Sequence, residues 1–237
     1  MYERLITGGD ITCFSPHDVP EMYEAFFTDQ DRFKELYERA ERNTKLRKKT
    51  FRALDLFSRF MQERKDTGRI YLQNVDHANT HSPFKEEIAP VKMSNLCCEI
   101  DLPTVPLNDV NDELGRIALC TLSAVNWGNV KTPQDFRRPC ELAVRGLDAL
   151  LSYQNYPVRA AELATQEFRP LGIGIINFAY FLAKNDVSYS DPKALALVDE
   201  YAEAWSYYLL KASADLAVEQ GACTRDRKST RPELQSH

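Results

Sequence analysis

Seven residues, Ser94-Asn95-Leu96-Cys97-Cys98-Glu99-Ile100, set the demand that the rest of the chain has to meet. Read as an extended strand, their side chains alternate between two faces. Asn95, Cys97 and Glu99 then share one face, and Leu96, Cys98 and Ile100 the other. An amide, a thiol and a carboxylate in a row are costly to bury without partners. Such a strand asks for a polar cavity on one side and an apolar core on the other. The plain alternative is a half-exposed strand, with water on Asn95 and Glu99 and the cysteines acting as small hydrophobes.

The flanking sequence supplies mainly helices. With 237 residues the chain suffices for one large domain or two small ones. Residues 1–20 read as polar and irregular. A helical stripe starts near Pro20 with Met22, Phe26, Phe27, Phe33, Leu36 and Tyr37. A second helix is predicted from Thr44 to Lys65 on Leu46, Phe51, Leu54, Phe57, Phe60 and Met61, with Gly68 as its stop. Arg69 to Asn74 reads as a strand, and the segment from Asn74 through Pro83 as a loop. Pro103 and Pro106 make Leu102 to Asp112 a structured loop.

Ile117 to Leu122 suits a buried strand, in which composition alone makes Cys120 inert packing. Helices follow over Pro133–Tyr153 and Tyr156–Thr165. The run Leu171-Gly172-Ile173-Gly174-Ile175-Ile176-Asn177 then leads into a helix to about Lys184. Its two glycines invite a phosphate-loop reading. Asn177 stands where the third glycine of a dinucleotide fingerprint belongs, and no P-loop lysine follows, so close backbone packing is the better reason for them. A last helix spans Pro192 to Gln220 and stops at Gly221. Strands separated by helices indicate an α/β fold, helix-rich, with too few strands to close a sheet. Residues 224–237 are polar and basic without periodicity and read as a disordered tail.

Composition excludes several classes. The chain is 43% hydrophobic and 27% charged, ordinary for a soluble globular protein. A net charge of −5 gives no footprint for nucleic acid. No apolar run approaches the roughly 20 residues of a membrane span, and no apolar segment of a secretory signal follows Met1, so a cytoplasmic location with no membrane partner is expected. Six cysteines occur, at 13, 97, 98, 120, 140 and 223, without a CxxC pair. Without an export signal, any disulfide would be catalytic rather than a framework. His77 and His81 lack a third ligand at metal-site spacing, so no metal site is expected.

Several motifs together resemble one family. They are Ser94-Asn95-Leu96-Cys97-Cys98-Glu99-Ile100, then Pro106-Leu107-Asn108-Asp109-Val110-Asn111-Asp112-Glu113, then Ala118-Leu119-Cys120-Thr121-Leu122-Ser123-Ala124, with a second cysteine 23 residues after the first. Phe14-Ser15-Pro16-His17-Asp18, Asn74-Val75-Asp76-His77, Leu171 to Tyr180 and Gln220-Gly221-Ala222-Cys223 continue the likeness. The chain is similar to the large subunit of class I ribonucleotide reductase, almost collinearly from residue 2 to Cys223.

The resemblance implies an incomplete portion of a ten-stranded α/β barrel over residues 1–223, and it implies roles. Cys97 matches the finger-loop cysteine that becomes a thiyl radical and takes the 3′ hydrogen of the ribose. Glu99 matches the carboxylate that receives the 3′-hydroxyl proton, and Asn95 the amide that orients the sugar hydroxyls. Cys120 matches one of two thiols that form a disulfide, re-reduced by thioredoxin or glutaredoxin. Asn95, Leu96, Cys97, Cys98 and Glu99 together would line the substrate, a ribonucleoside diphosphate. No cofactor would be bound by this chain, because the radical comes from a small subunit with a di-metal centre.

The departures shape what to expect. The likeness begins deep inside the family's large subunit and ends before its end. Absent are counterparts of the ATP-binding regulatory cone, the first barrel strands with the cysteine that pairs with Cys120, the phosphate-binding loop, the radical-delivering tyrosines and the terminal redox cysteines. Cys98 stands where an aliphatic residue is usual, and Cys13 is not in a matching context. Three readings follow. The chain is one piece of a split reductase, active with complementary large-subunit chains and inactive alone; or it is an inactive remnant or interaction fragment; or, ranked last, a free-standing thiol protein using Cys97, Cys98 or Cys120.

Overall fold

The computed structural model describes residues 2–225. The tail expected over 224–237 lies outside them beyond Arg225. The chain divides into two compact units, one of Met1–Ser82 with Pro90–Leu102, the other of Pro83–Ala89 with Pro103–His237.

The first unit opens with helix α1 (Tyr2–Ile6) and strand β1 (Asp10–Phe14), where the sequence suggested irregular chain. β1 pairs antiparallel with β2 (Lys48–Arg52), Thr12 opposite Thr50. The helix predicted from Thr44 therefore starts only at Ala53, as α4 (Ala53–Thr67). The helical spacing of Leu46 and Phe51 was overridden by a pairing partner that lies about 40 residues earlier, which a local period cannot register. Helices α2 (Pro20–Thr28) and α3 (Gln30–Arg42) lie between the strands, broken where the Asp29 carboxylate caps α3 by accepting from the Arg32 N–H at 2.8 Å. Met22, Ala25, Leu36 and Ala40 form their buried seam.

Tyr37 on α3 does for β1 what a third strand would do. Its hydroxyl accepts from the Thr12 N–H at 2.6 Å and donates to the Thr12 carbonyl at 2.8 Å. Beside it Arg4 forks onto Glu41 at 2.5 and 2.7 Å, and the Thr12 hydroxyl donates to the same carboxylate at 2.9 Å. A two-stranded ribbon is marginal alone; here side chains from α1 and α3 complete its hydrogen bonding. Gly68 ends α4 as predicted, with φ 65° and its N–H on the Arg64 carbonyl at 2.8 Å.

Arg69 to Asn74 is not a strand, since among the described residues no strand pairs with it; Gln73 instead donates to Asp101 at 2.8 Å. The expected loop that follows contains a short helix, α5 (Val75–Thr80).

The second unit holds β3 (Thr121–Asn126) and β4 (Leu171–Ile176), parallel and in register, Leu122 opposite Gly172. The predicted strand over Ile117–Leu122 thus begins four residues later. Helices α6 (Arg137–Tyr153), α7 (Arg159–Phe168), α8 (Phe178–Lys184) and α9 (Pro192–Gln220) complete the unit, close to the predicted spans. Trp127 is fully buried among Phe136, Phe178, Phe181, Tyr201 and Trp205. No helix among the described residues is long and apolar enough to cross a membrane. Among the described residues, four strands in two separate pairs against nine α-helices make an α/β fold, helix-rich, with an incomplete sheet.

Candidate functional site

The segment expected as a strand is a tight turn, and Asn95 is the reason. The Cys98 N–H donates to the Asn95 carbonyl at 3.1 Å, closing a four-residue turn. The Asn95 side-chain oxygen then accepts from the N–H groups of Glu99 at 3.1 Å and Ile100 at 3.0 Å. Those are the donors that a strand would offer to a neighbour; here the amide takes them locally. Cys98 sits at φ 66°, in the left-handed region, so the chain reverses instead of running on.

The turn still brings two expected site residues together, by contact and not by alternation. The Asn95 side-chain N–H donates to Glu99 Oε1 at 2.6 Å. Cys97 lies exposed at the turn between them. The other expected face is corrected: Leu96, assigned to a core, is 90% exposed. Cys98, on the same expected face, is half-buried, and its sulfur accepts a hydrogen bond from the Ser94 hydroxyl at 3.2 Å.

Two residues that position this turn were not singled out from the sequence. Ser94 ties its start to Cys98. Asn79, 2% exposed on α5, binds the chain leading into it: its side chain donates to the Val91 carbonyl at 2.9 Å and accepts from the Val91 N–H at 2.8 Å. A buried asparagine so paired works as a clamp. Its only sequence signal is a polar residue in an unremarkable polar run, which carries no period.

Cys120 belongs to the second unit and directly precedes β3. Alternation places it on one sheet face with Leu122, Ala124 and Asn126. The glycine opposite explains that face: a Cβ built on Gly172 would stand 2.8 Å from Cys120 Sγ and closer still to Leu122. The close-packing account of the glycines holds there, whereas at Gly174 a Cβ would meet only the Ser123 carbonyl, at 3.9 Å. Asn177, in the third-glycine place, adopts φ 61° and donates from its amide to Asn126 Oδ1 at 3.1 Å. It binds β3, the task opposite to opening a phosphate loop.

The other thiols differ in kind. Cys140 is fully buried and desolvation pushes it up to about 11, which suits inert packing. Cys13 is exposed on β1. The second unit also carries a cleft of about 490 Å³ lined in part by Asp148, Phe168, Arg169, Leu216 and Cys223. Arg169 is engaged there by Asp148 at 2.6 Å and Ser152 at 2.9 Å, so its charge is not presented to a ligand. Among the described residues no group of three or more His, Cys, Asp or Glu could hold a metal ion.

The model for the ribonucleotide reductase barrel domain matches residues 1–233, which includes the turn at Asn95–Cys98, β3 and β4. The chain is similar to ribonucleoside-diphosphate reductase subunit alpha of Haemophilus influenzae, 58% identical over 230 residues, 97% of this chain and 30% of that protein. Against the same subunit of Buchnera aphidicola subsp. Acyrthosiphon pisum it is 58% identical over 224 residues, 94% of this chain and 29% of that protein. Against ribonucleoside-diphosphate reductase 1 subunit alpha of Escherichia coli it is 59% identical over 223 residues, again 94% and 29%. The chain therefore spans about 30% of the length of the curated relatives it matches. On a match that covers nearly all of its residues, this chain belongs to the ribonucleotide reductase barrel-domain family.

Proposed function

We propose that the chain carries the radical-bearing turn of a ribonucleoside-diphosphate reductase large subunit and reduces ribonucleotides to deoxyribonucleotides when complementary large-subunit chains complete the barrel. The observation that supports this most is the turn itself, with Cys97 exposed between an amide and a carboxylate that are hydrogen-bonded to each other at 2.6 Å.

In this reading a thiyl radical on Cys97 takes the 3′ hydrogen of a ribonucleoside diphosphate, leaving a carbon radical and the Cys97 thiol. Glu99 accepts the 3′-hydroxyl proton, which helps the 2′-hydroxyl depart as water with a proton from a thiol. Asn95 holds Glu99 in position and orients the sugar hydroxyls. Cys120 and a second thiol from a complementary chain supply two electrons and the new hydrogen at C2′ and become a disulfide; Glu99 returns its proton to the 3′ oxygen, and Cys97 then returns its hydrogen to C3′. Thioredoxin or glutaredoxin reduces the disulfide, and a small subunit with a di-metal centre generates the radical. The chain itself binds no cofactor.

The isolated chain should not turn over. Radical chemistry needs a closed site that excludes side reactions, and Leu96, beside the radical cysteine, is 90% exposed. The test is co-expression with chains supplying the remainder of a family large subunit, followed by co-purification and assay of nucleoside-diphosphate reduction with a small subunit. Turnover is expected in the complex, none with Cys97→Ser, and strongly reduced turnover with retained substrate binding for Glu99→Gln. A complex that forms and stays inactive would favour the remnant reading, and turnover by the Cys97→Ser complex would refute the role of Cys97.

A further inference from the structure

Cys97 and Cys98 place two thiols on adjacent residues of one exposed turn, and the radical chemistry proposed above uses only the first. Cys98 is half-buried, with its backbone at φ 66° and its sulfur accepting from the Ser94 hydroxyl at 3.2 Å. Cys97 is exposed. Two thiols so placed have two ways to act together, and geometry separates them.

Direct oxidation to a disulfide is the poorer fit. Adjacent α-carbons across a trans peptide stand about 3.8 Å apart, below the roughly 4.4–6.8 Å that disulfides ordinarily span, and the chain has no cis peptide bond among the described residues. Inserting one bridging atom relieves this. With metal–sulfur bonds of about 2.3 Å in a tetrahedral site, two thiolates stand nearly twice as far apart as the roughly 2.05 Å of a disulfide. Thiolates select soft acceptors. Once one sulfur has bonded, the second meets the acceptor intramolecularly, which raises affinity by about 10²–10⁴ over a single thiol.

We propose that Cys97 and Cys98 form a two-thiol binding site for soft, thiophilic acceptors, trivalent arsenicals and soft divalent cations alike. With an organoarsenic(III) oxide the step is a condensation: two S–H bonds and the arsenic–oxygen double bond are exchanged for two As–S bonds and one water, with no change of oxidation state. Occupancy would take the Cys97 thiol out of use.

The experiment is titration of the reduced full chain with phenylarsine oxide, read by intact mass and peptide mapping. One adduct per chain is expected at near-stoichiometric reagent, mapped to the Cys97–Cys98 peptide. It should resist an excess of monothiol and be released by a dithiol. Cys98→Gly, which suits a positive φ, and Cys97→Ser should each lose the monothiol-resistant adduct; Cys13→Ser should retain it. Titration with Cd²⁺ should show the same loss in both variants and so extend the site from arsenic to soft cations. A monothiol-resistant adduct that survives Cys98→Gly, maps elsewhere, or fails to form on the folded wild-type chain would overturn the proposal. Arsenical capture without a matching Cd²⁺ dependence would overturn its cation half.

Discussion

The turn over Asn95–Cys98 and the aromatic core around Trp127 belong to different units and are held by different forces. Trp127 is 0% exposed, with five aromatic rings around it. Apolar burial is non-directional, so such a core tolerates small shifts and tells its residues apart mainly by size. The turn has no comparable burial, and Leu96 within it is 90% exposed. Its shape rests on directed bonds from two side chains, Asn95 and Ser94. Burial therefore concentrates around Trp127, whereas the turn proposed to carry the radical takes its geometry from two polar side chains.

The largest effect that would sharpen this contrast is Trp127→Ala. Emptying that site should cost the second unit about 3–5 kcal/mol, seen as a large drop in its unfolding midpoint and loss of near-ultraviolet signal. Amide exchange at Glu99 and Ile100 should stay nearly unchanged. Exchange there rising as far as in the second unit would show that the turn depends on that core after all.

The next effect lies in the first unit, on Arg4 and Glu41. The Arg4 guanidinium, hydrogen-bonded to Glu41, holds that carboxyl below its usual range; burial opposes the shift and the Thr12 hydroxyl adds to it. A depressed folded value means the stabilisation is fully present above the unfolded carboxyl's value of about 4.3 and is lost as pH falls through the folded one. Arg4→Met should cost about 1.5–3 kcal/mol near neutrality, the scale of a hydrogen bond to a charged group. It should also flatten the acid limb of the first unit's stability. Denaturant midpoints at neutral and acid pH check both; an acid limb unchanged in Arg4→Met would mean that Glu41 does not set it.

The same contrast explains what could be read before the fold was known. Helices α6 and α9 were legible because their apolar positions recur at helical spacing, and α9 also carries Pro192 at its start and Gly221 at its end. β2 was not, because Lys48–Arg52 becomes a strand only by pairing with β1, nearly forty residues earlier. The candidate site residues Asn95, Cys97 and Glu99 stand out in the sequence as a chemical set, and the strand expected for them is a turn. Their spacing of two fits alternation, but Asn95 also has the short side chain that competes with strand pairing. The clamp by Asn79 was invisible, since its partner is the backbone of Val91 and a backbone has no sequence signature.

Asn95→Ala tests the directed-bond half of the comparison. It deletes the acceptor of two N–H groups and the donor to Glu99. Since the site is exposed, water replaces part of what is lost, and the cost should be about 1 kcal/mol. Global stability should barely move while exchange at Glu99 and Ile100 rises severalfold. Equal protection in the variant would mean that the turn is set by its backbone and not by the amide.

The smallest effect discriminates between backbone and side chain within the turn itself. Cys98 holds φ 66°, a region that costs a non-glycine residue about 1 kcal/mol. Cys98→Gly removes that cost and also the hydrogen bond from Ser94, and it adds about 0.5–1 kcal/mol of unfolded-chain entropy. These terms nearly cancel, so the denaturant midpoint should shift by no more than about 0.5 kcal/mol. Cys98→Ser keeps an acceptor for Ser94 and the strained φ, and should match the wild type. If glycine destabilises by well over that amount while serine does not, the Ser94 bond outweighs the backbone strain. The turn would then be held by two neighbouring side chains, Ser94 bonded to Cys98 and Asn95 bonded to Glu99 and Ile100.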